Sequence, residues 1–423
     1  GILIGGFPRP IKNKIIYNKI FNIIYDGIHI GIENSNEEEL GLLIEGNEIH
    51  GSLISDGIQS NACYESTEPK CIGAAGVVVR NNKIFNNAEN SIDLKGAGKW
   101  VIENNILFQA YGNNDGGIES RTEEGCTNPP CNNTQGGASI GKGGSRYSKD
   151  IILRNNLIYD GNGGSVVWDG YIIYNNTILN NRRTFNGPSQ EFCVTDNCSG
   201  KPEFPGLYGP GENVVIINNI LGDNGFAVVR WNNPKWLIDY NCYYWSRPEL
   251  FRGFAQYLDN AGWQAFKLDD WRQYLSLSSG VDGKDEHSIV VSGPTGLFQQ
   301  VESNPYGSDQ QFNFDLKISS PAVGAGCALT QVKQEGSGRT LKVTDARFFY
   351  DGYGVGGGDL IVVGQNRPVR IAQIDYSINT LFLNEDISWN IGDPVGLAGN
   401  GVAPDLGAKN PGLIKGPGVT VPK

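Results

Sequence analysis

A short pattern centred on asparagine recurs along the chain and constrains the fold more than any other feature. Each copy has an aliphatic residue, two variable positions, an asparagine, one further variable position and an aliphatic or aromatic residue, as in "VVVRNNKIF". The intervals between these asparagines are 29, 35, 23, 51, 20, 43 and 22 residues, for Asn18, Asn47, Asn82, Asn105, Asn156, Asn176, Asn219 and Asn241. The short intervals set the period, and the long ones are that period plus insertions. Such a period is typical of a solenoid.

The composition of the repeat favours strands. Each unit is rich in β-branched residues, is too short for a pair of helices, and lacks the regularly spaced leucines of a leucine-rich repeat. We therefore predict an all-β fold, a right-handed parallel β-helix of about 8 to 10 coils, with three short strands in each coil. An inward asparagine at the same bend of successive coils would form a hydrogen-bonded ladder.

The C-terminal part of the sequence departs from the repeat. Past residue 245, "RPELFRGFAQYL" and "AFKLDDWRQYL" have helical spacing and predict short helices covering the solenoid. Between residues 328 and 397, segments with strand-like sequence are joined by tight turns, which predicts a small inserted β module at 328–397. The predicted domains are the β-helix at 1–327 with its covering segment at 246–327, the module at 328–397, and a return to the β-helix with a tail at 398–423.

Charge and hydropathy exclude some partners. The chain has 423 residues and a net charge of -11, which disfavours binding to nucleic acid or to an anionic membrane surface. No stretch approaches the length of a transmembrane helix, so we expect no membrane insertion. The high glycine content and the recurring Asn-Asn pairs suit a turn-rich extracellular protein.

The cysteines favour an oxidising compartment. Six of the eight form the close pairs Cys63 and Cys71, Cys126 and Cys131, and Cys193 and Cys198, each around a polar loop. This spacing predicts local disulfides and a secreted or cell-surface protein. Metal binding is the weaker alternative, because no histidine lies near these pairs and the spacing is not CxxC. A bridge between Cys242 and Cys327 stays open.

A short strand that follows each asparagine pair carries the candidate chemistry. It reads "DGIHIG" at 26–31, "DGIQS" at 56–60, "NSIDLKG" at 90–96 and "GGIESR" at 116–121. Alternation points the isoleucines inward and points His29, Gln59, Asp93 and Glu119 outward in one column, with Lys95 and Arg121 in the next. Because coils lie about 4.8 Å apart, Asp93 should neighbour Glu119, and Lys95 should neighbour Arg121. Insertions at 60–76, 122–149 and 180–212 would wall a groove for a linear polymer.

The motifs "LDDWRQY", "GKDEHSI", "FDLKISSPAVGAG" and "GVAPDLGA", together with the asparagine ladder, resemble bacterial secreted right-handed parallel β-helix proteins with the architecture of the pectate and alginate lyases. The resemblance extends from about residue 11 to residue 409. Many members of this group are polysaccharide lyases or glycoside hydrolases, and many others have no assigned activity. The resemblance implies a polysaccharide as the partner.

For a lyase, the resemblance implies a lysine base and an arginine on adjacent coils, often with Ca²⁺ held by acidic side chains. Lys95 and Arg121 match this arrangement, and Asp93, Asp115 and Glu119 are the predicted calcium ligands. The sequence departs from the group in having Gln59 where an acidic pair is expected and "ESRTEE" around Arg121. The predicted substrate-binding residues are Gln59, Lys142, Arg146, Trp168, Arg230 and Trp231.

Two other functions remain open. In a glycoside hydrolase, Asp93 and Glu119 would form the acid and base or nucleophile pair. In a non-catalytic adhesin, sheath or filament subunit capable of self-assembly, the same residues would form an exposed charge ladder. Trp168 is either a platform for a sugar ring or a core residue, and His29 is predicted to be a surface residue.

Overall fold

The strands of the chain stack into three long sheets. A computed structural model describes residues 1–6, 12–32, 39–61, 71–110, 138–141, 147–161, 163–179, 205–222, 224, 226–230, 235–244, 251–255, 262–277, 283–300, 311–399, 404–408 and 413–415. Successive strands enter the three sheets in rotation, and each pairs in parallel with strands of the preceding and following coils. This is a parallel β-helix, so the predicted fold class is confirmed.

Strands are numbered in chain order. The first sheet contains β1 (Ile2–Gly6), β4 (Ile28–Ile32), β7 (Ile58–Asn61), β10 (Ile92–Lys95), β13 (Ile140–Gly141), β16 (Ser165–Val166), β19 (Pro205–Gly209), β22 (Phe226–Arg230), β25 (Phe251–Ala255) and β26 (Gly262–Phe266). The second contains β2 (Lys14–Ile16), β5 (Glu39–Glu45), β8 (Ala74–Arg80), β11 (Ala97–Glu103), β14 (Ile152–Arg154), β17 (Ile172–Tyr174), β20 (Val214–Ile217) and β23 (Trp236–Asp239). The third contains β3 (Lys19–Ile23), β6 (Glu48–Ser52), β9 (Lys83–Asn87), β12 (Ile106–Ala110), β15 (Leu157–Tyr159), β18 (Thr177–Leu179), β21 (Ile220–Gly222), β24 (Cys242–Tyr244) and β27 (Ile289–Val291).

The asparagine ladder is present and lies inside the bend between the second and third sheets. In a typical rung, Asn105 Nδ2 donates to Asn156 Oδ1 at 3.0 Å and to the Val79 carbonyl at 2.9 Å. Asn105 Oδ1 in turn accepts from the backbone N–H of Asn82 at 2.9 Å and from its Nδ2 at 3.0 Å. Side-chain bonds of this kind join Asn18, Asn47, Asn82, Asn105, Asn156, Asn176, Asn219 and Asn241. The ladder satisfies backbone groups that the bend leaves without strand partners.

The bend explains why the asparagines come in pairs. The residue before each ladder asparagine has a left-handed backbone, with φ of 56° at Asn81, 54° at Asn104 and 53° at Asn155. Asparagine tolerates this conformation better than most residues with a side chain. The first asparagine of each pair therefore turns the chain, and the second enters the ladder.

One end of the β-helix is closed by an antiparallel strand and a helix. β26 pairs antiparallel with β25, and helix α1 (Leu268–Leu277) buries Trp271, Tyr274 and Leu275 in the core. The predicted helix in "AFKLDDWRQYL" is thus confirmed. The helix predicted in "RPELFRGFAQYL" is wrong in its described part, because residues 251–255 form a strand paired on both sides.

The segment "GKDEHSI" completes this end of the solenoid. The Ser288 hydroxyl accepts from the backbone N–H of Asn241 at 2.8 Å and so terminates the ladder. The buried Asp285 accepts from Trp271 Nε1 at 3.0 Å and from the Tyr243 hydroxyl at 2.9 Å. The motif therefore has a structural role.

The predicted β module is present as a six-stranded antiparallel sheet. Its strands are β30 (Thr330–Gln331), β31 (Gly336–Lys342), β32 (Leu360–Val363), β33 (Val369–Asp375), β34 (Thr380–Trp389) and β35 (Pro394–Leu397). Apolar residues of the module pack against the outer face of the second sheet. The sheet residues that they contact include Val78, Val101, Ile152 and Ile172. Short 3-10 helices occupy Pro294–Gly296 and Tyr376–Ile378.

A buried ionic network joins the module to the β-helix. Arg154 of β14 makes two bonds to the module residue Asp359, Nη1 to Oδ2 at 2.8 Å and Nη2 to Oδ1 at 2.6 Å. Its Nε donates to Glu103 Oε2 at 2.8 Å. All three side chains are less than a tenth exposed.

The outer face of the third sheet carries an aromatic column and a small covering sheet. The rings of Phe21, His50, Phe85, Phe108 and Tyr159 stack with centroid separations of 5.6, 4.6, 4.8 and 5.0 Å. Beyond them, the antiparallel strands β28 (Phe298–Gln300), β29 (Gln311–Leu316) and β36 (Leu413–Lys415) cover the same face.

The cysteines that the structure describes are in two states. Cys242 and Cys327 are free thiols in different hydrophobic clusters, so a bridge between them is wrong. Cys71 is disulfide-bonded, and its partner lies outside the described residues. The pairings of Cys71 with Cys63, Cys126 with Cys131 and Cys193 with Cys198 stay predictions. No helix in the described part of the chain is long and apolar enough to cross a membrane.

Candidate active site

The outward column of the first sheet follows the predicted register over three coils. Ile28, Ile58 and Ile92 are paired and fully buried in the core. One residue on, His29 pairs with Gln59, and Gln59 pairs with Asp93. The column of His29, Gln59 and Asp93 is therefore confirmed as a line of neighbouring side chains.

The next rung differs from the prediction. β10 pairs on its other side with β13, which places Gly141 beside Asp93. The prediction that "GGIESR" supplies this rung is wrong, and Asp93 and Lys95 do not start a ladder of Glu119 and Arg121. Both of those residues lie outside the described residues, as does Asp115, and their functional roles stay predictions.

Asp93 and Lys95 form a tight ion pair. Lys95 Nζ lies 2.6 Å from Asp93 Oδ2. The side chain of Asp93 is fully buried and that of Lys95 is 17% exposed, which contradicts the solvent-exposed charge ladder considered above. Lys95 is thus the member of the pair that reaches toward solvent.

A turn in front of the strand contributes a second buried carboxylate. Asp56 Oδ1 accepts from both the backbone N–H and Nδ2 of Asn90, each at 2.8 Å. Its Oδ2 accepts from Gln59 Nε2 at 2.7 Å. These three bonds fix the carboxylate and favour its ionised form. Burial, followed by the charges of Glu89 and Asp93, acts in the other direction and raises the pKa of Asp56 well above its usual range.

Glu89 completes the group. Carboxylate oxygens of Asp56, Glu89 and Asp93 all lie within 4.8 Å of one another, and all three side chains are buried. Burial raises the pKa of Glu89 to about 7, with Lys95 opposing the shift and Asp93 adding to it. We call these three residues and Lys95 the acid–lysine cluster.

The cluster controls the charge of its lysine. Burial alone would lower the pKa of Lys95, but the carboxylates of Asp93, Asp56 and Glu89 outweigh it and raise the pKa above its ordinary value. The resting site therefore holds an ammonium group beside Glu89, whose pKa of about 7 leaves this carboxyl group partly protonated at neutral pH. Concentrated, perturbed ionisable groups of this kind are typical of functional sites.

The spacing of the three carboxylates is compatible with calcium. Ca²⁺ takes oxygen ligands at about 2.3 to 2.6 Å, so two ligands of one ion lie at most about 5 Å apart. The oxygens of this group, all within 4.8 Å of one another, meet that limit. The described candidate ligands are Asp56, Glu89 and Asp93, of which only Asp93 belongs to the set predicted from the sequence. Calcium itself stays a prediction.

The predicted substrate-binding residues fall into different environments. Gln59 lies in the column but is 7% exposed and donates to Asp56. Trp168 is partly buried, packs against the core and meets Tyr147 edge-on at 6.2 Å. Arg230 is fully buried with its guanidinium 5.8 Å from the ring of Tyr274 in helix α1, so its predicted contact with substrate is wrong. Lys142, Arg146 and Trp231 lie outside the described residues.

Sequence reasoning missed Glu89 as a member of the site. It lies in the turn before β10, where side chains follow no period of two, so alternation does not assign it a direction. Asp56 was visible as the first residue of "DGIQS". The available signal was position, since Asp56 and Glu89 each stand shortly before an outward polar residue of adjacent coils.

Comparison with known proteins gives no sequence match and only distant structural similarities. No protein-family model and no curated protein sequence matches it. Among solved structures, it is similar to an alginate lyase from Paenibacillus sp. str. FPU-7, at 13% identity and a TM-score of 0.36 over 55% of this chain and 68% of that one. Pectate lyase Pel9A has 11% sequence identity and a TM-score of 0.34, over 74% of this chain and 70% of that one. The complex of XylC with xylose has 12% sequence identity and a TM-score of 0.31, over 88% of this chain and 66% of that one. At these TM-scores the similarities carry no argument about function, and the architecture follows from the strand pairing itself.

Proposed function

We propose that the chain is a secreted, carbohydrate-active β-helix protein that cleaves a uronate-containing polysaccharide by β-elimination, with Lys95 as the base. In this reaction Lys95 Nζ removes the proton alpha to the uronate carboxyl group. The freed electron pair forms the ring double bond and the bond to the leaving oxygen breaks. That oxygen then takes a proton from water and becomes a hydroxyl group, and Lys95 returns its extra proton to solvent.

One observation supports this proposal above the others. Lys95 Nζ is fixed by Asp93 at 2.6 Å and is the partly exposed member of a cluster that is otherwise buried. Burying several ionisable groups costs free energy that a purely structural stack has no need to spend. The arrangement therefore favours an enzyme over a non-catalytic filament or adhesin.

The test is incubation with a panel of uronate polysaccharides while absorbance of the unsaturated product is followed. The expected result is product from the wild type and a loss of at least about a hundredfold in Lys95→Ala, the usual scale for a general base. Lys284→Ala is the matched control, since Lys284 lies in the turn before Ser288, far along the chain from the cluster. Undiminished activity in Lys95→Ala, or no product on any uronan, would reject the lyase.

The Glu89 and Asp93 pair favours a second candidate, a retaining glycoside hydrolase. Their oxygens lie within 4.8 Å, close to the roughly 5 Å separation of retaining enzymes, and the pKa of Glu89 at about 7 suits a general acid. This pair replaces the predicted pair of Asp93 and Glu119. Reducing ends released without unsaturation, and lost in Glu89→Gln, would establish hydrolysis.

The pH profile separates the two reactions. A lysine whose pKa is raised by carboxylates works as a base only after losing its proton, so lyase activity should rise with pH into the alkaline range. Hydrolysis with Glu89 as the acid should instead fall as pH rises through about 7. Adding a chelator to the same assays tests the calcium prediction.

A further inference from the structure

A histidine at the far end of the outward column is held in place as firmly as the residues of the cluster. His29 stands two rungs from Asp93, with Gln59 between them. At about 4.8 Å per rung, the separation along the β-helix axis is roughly 10 Å. Exposure rises along this line, from Asp93 and Gln59, which are buried, to His29, whose side chain is 27% exposed.

One hydrogen bond orients the imidazole ring, and a second holds the carboxylate that accepts it. His29 Nδ1 donates to Asp26 Oδ2 at 2.6 Å, and Asp26 also accepts from the Ser55 hydroxyl at 2.6 Å. Although burial raises the pKa of Asp26, the hydrogen bonds from His29 and Ser55 outweigh it and hold the pKa below its usual value. Asp26 is therefore an anion that orients the ring.

Gly31 provides the space in which the ring lies. A Cβ atom at position 31 would stand 3.2 Å from His29 Nε2 and 3.3 Å from Cδ2, closer than ordinary contact. Glycine at this outward position lets the ring lie along the strand. The six residues "DGIHIG" thus include the aspartate that orients the ring, the histidine itself and the glycine that leaves space for the ring.

Two basic side chains on this surface could bind an anionic group of the ligand. On β1, β4, β7 and β10, the basic residues are His29 and Lys95. With Nδ1–H directed to Asp26, a doubly protonated imidazole ring offers its Nε2–H for a charge-assisted hydrogen bond to an oxyanion. We propose that His29, oriented by Asp26, binds the carboxylate of a second uronate residue of the same polysaccharide chain whose scissile residue lies at Lys95. This inference rests on the proposed function for the identity of the polymer.

The experiment measures binding separately from cleavage. Migration through native gels containing polygalacturonate, alginate or neutral dextran is compared for the Lys95→Ala protein and for the same protein carrying His29→Gln or His29→Ala. His29→Gln keeps a donor toward Asp26 while removing the imidazole Nε2–H, and thermal unfolding checks that each variant is folded. We expect affinity for at least one uronan to fall roughly tenfold, the scale of one charge-assisted hydrogen bond, with no change on dextran.

A second histidine in the same chemical setting serves as the control. His287 Nδ1 lies 2.7 Å from Asp239 Oδ2, and the side chain is 55% exposed at the closed end of the β-helix. His287→Gln should leave uronan affinity unchanged. Equal retention of the His29 variants and their parent on every uronan would overturn the inference, even if cleavage by Lys95 is confirmed. Loss of retention in a protein whose wild type cleaves no uronan would instead support binding by His29 and reject the lyase.

Discussion

At the scale of single residues, the sequence made Asp93 and Lys95 visible and hid their partners. Strand alternation assigns both residues to the outward face, which the structure confirms. Glu89 lies in a turn, where no periodicity indicates direction, and its closeness to Asp56 arises from the pairing of two coils. Ionisable clusters in a solenoid are therefore predictable on strands and largely invisible in the bends.

Glu89 gives the fold a pH dependence that can be measured. Its folded-state pKa, about 7, lies above the ordinary glutamate pKa of 4.5, so Glu89 contributes stability that is complete below about pH 4.5 and is lost as pH rises through about 7. Glu89→Gln should not lose this stability at high pH, because glutamine does not ionise. Relative to wild type, the variant should gain on the order of 3 kcal/mol in free energy of unfolding between about pH 5 and about pH 8.

Urea unfolding of both proteins across this pH range measures the difference. Glu286→Gln is the control, because Glu286 is an exposed glutamate outside the acid–lysine cluster. Parallel stability curves for wild type and Glu89→Gln would contradict the burial of a protonated Glu89.

At the scale of elements, a local motif predicted the bend well and predicted strand partners poorly. The asparagine pair encodes a left-handed residue and a ladder residue, both of which depend on immediate sequence. The choice of the strand beside β10 depends instead on pairing across a long insertion, so "GGIESR" matched the pattern while Ile140–Gly141 occupies the position. The error over residues 251–255 has the same origin, since spacing cannot reveal the pairing of β25 with β26.

Removing one ladder asparagine should be costly in the middle of the β-helix. Asn105→Ala removes the donors to Val79 and Asn156 and the acceptor of Asn82, all of them buried. We expect a loss of roughly 2 to 4 kcal/mol in free energy of unfolding, because several buried polar groups lose their partners at once. Asn18→Ala, at an exposed rung, should cost less than about 1 kcal/mol. Equal losses at the two rungs in denaturant titrations would argue against the ladder as a major source of stability.

At the scale of the whole molecule, the sequence predicted a separate module and also contained the sign of where it docks. Strands such as "GVVVR" and "DIILR" are apolar at successive positions, a pattern of strands buried on both faces. One set of these side chains fills the core, and the other, including Val78 and Ile152, meets the module. The ionic network was not predictable, because Arg154 and Asp359 are 205 positions apart.

The junction between module and β-helix should fail when its arginine is removed. Arg154→Met leaves Glu103 and Asp359 buried without their cation, and breaking such a pair typically costs about 3 to 5 kcal/mol. Hydrogen exchange should show the loss first in β14, which carries Arg154, and in β32, which begins one residue after Asp359. Arg339→Ala is the control, because its pair with Asp386 is mostly exposed, and it should cost less than about 1 kcal/mol. Unchanged protection in Arg154→Met would mean that apolar packing alone holds the module.

The ladder also bears on how such a chain changes length over evolution. The coil from Asn156 to Asn176 is 20 residues long, and its first and last asparagines make the same bonds to their neighbours. A deletion or duplication of one such unit would leave an asparagine at every junction, so the ladder itself would stay continuous when a coil is lost or gained. The acid–lysine cluster is different, because Asp56 belongs to one coil and Asp93 to the next. An insertion between those two coils would divide the cluster. The two coils must therefore stay adjacent for the cluster to be kept.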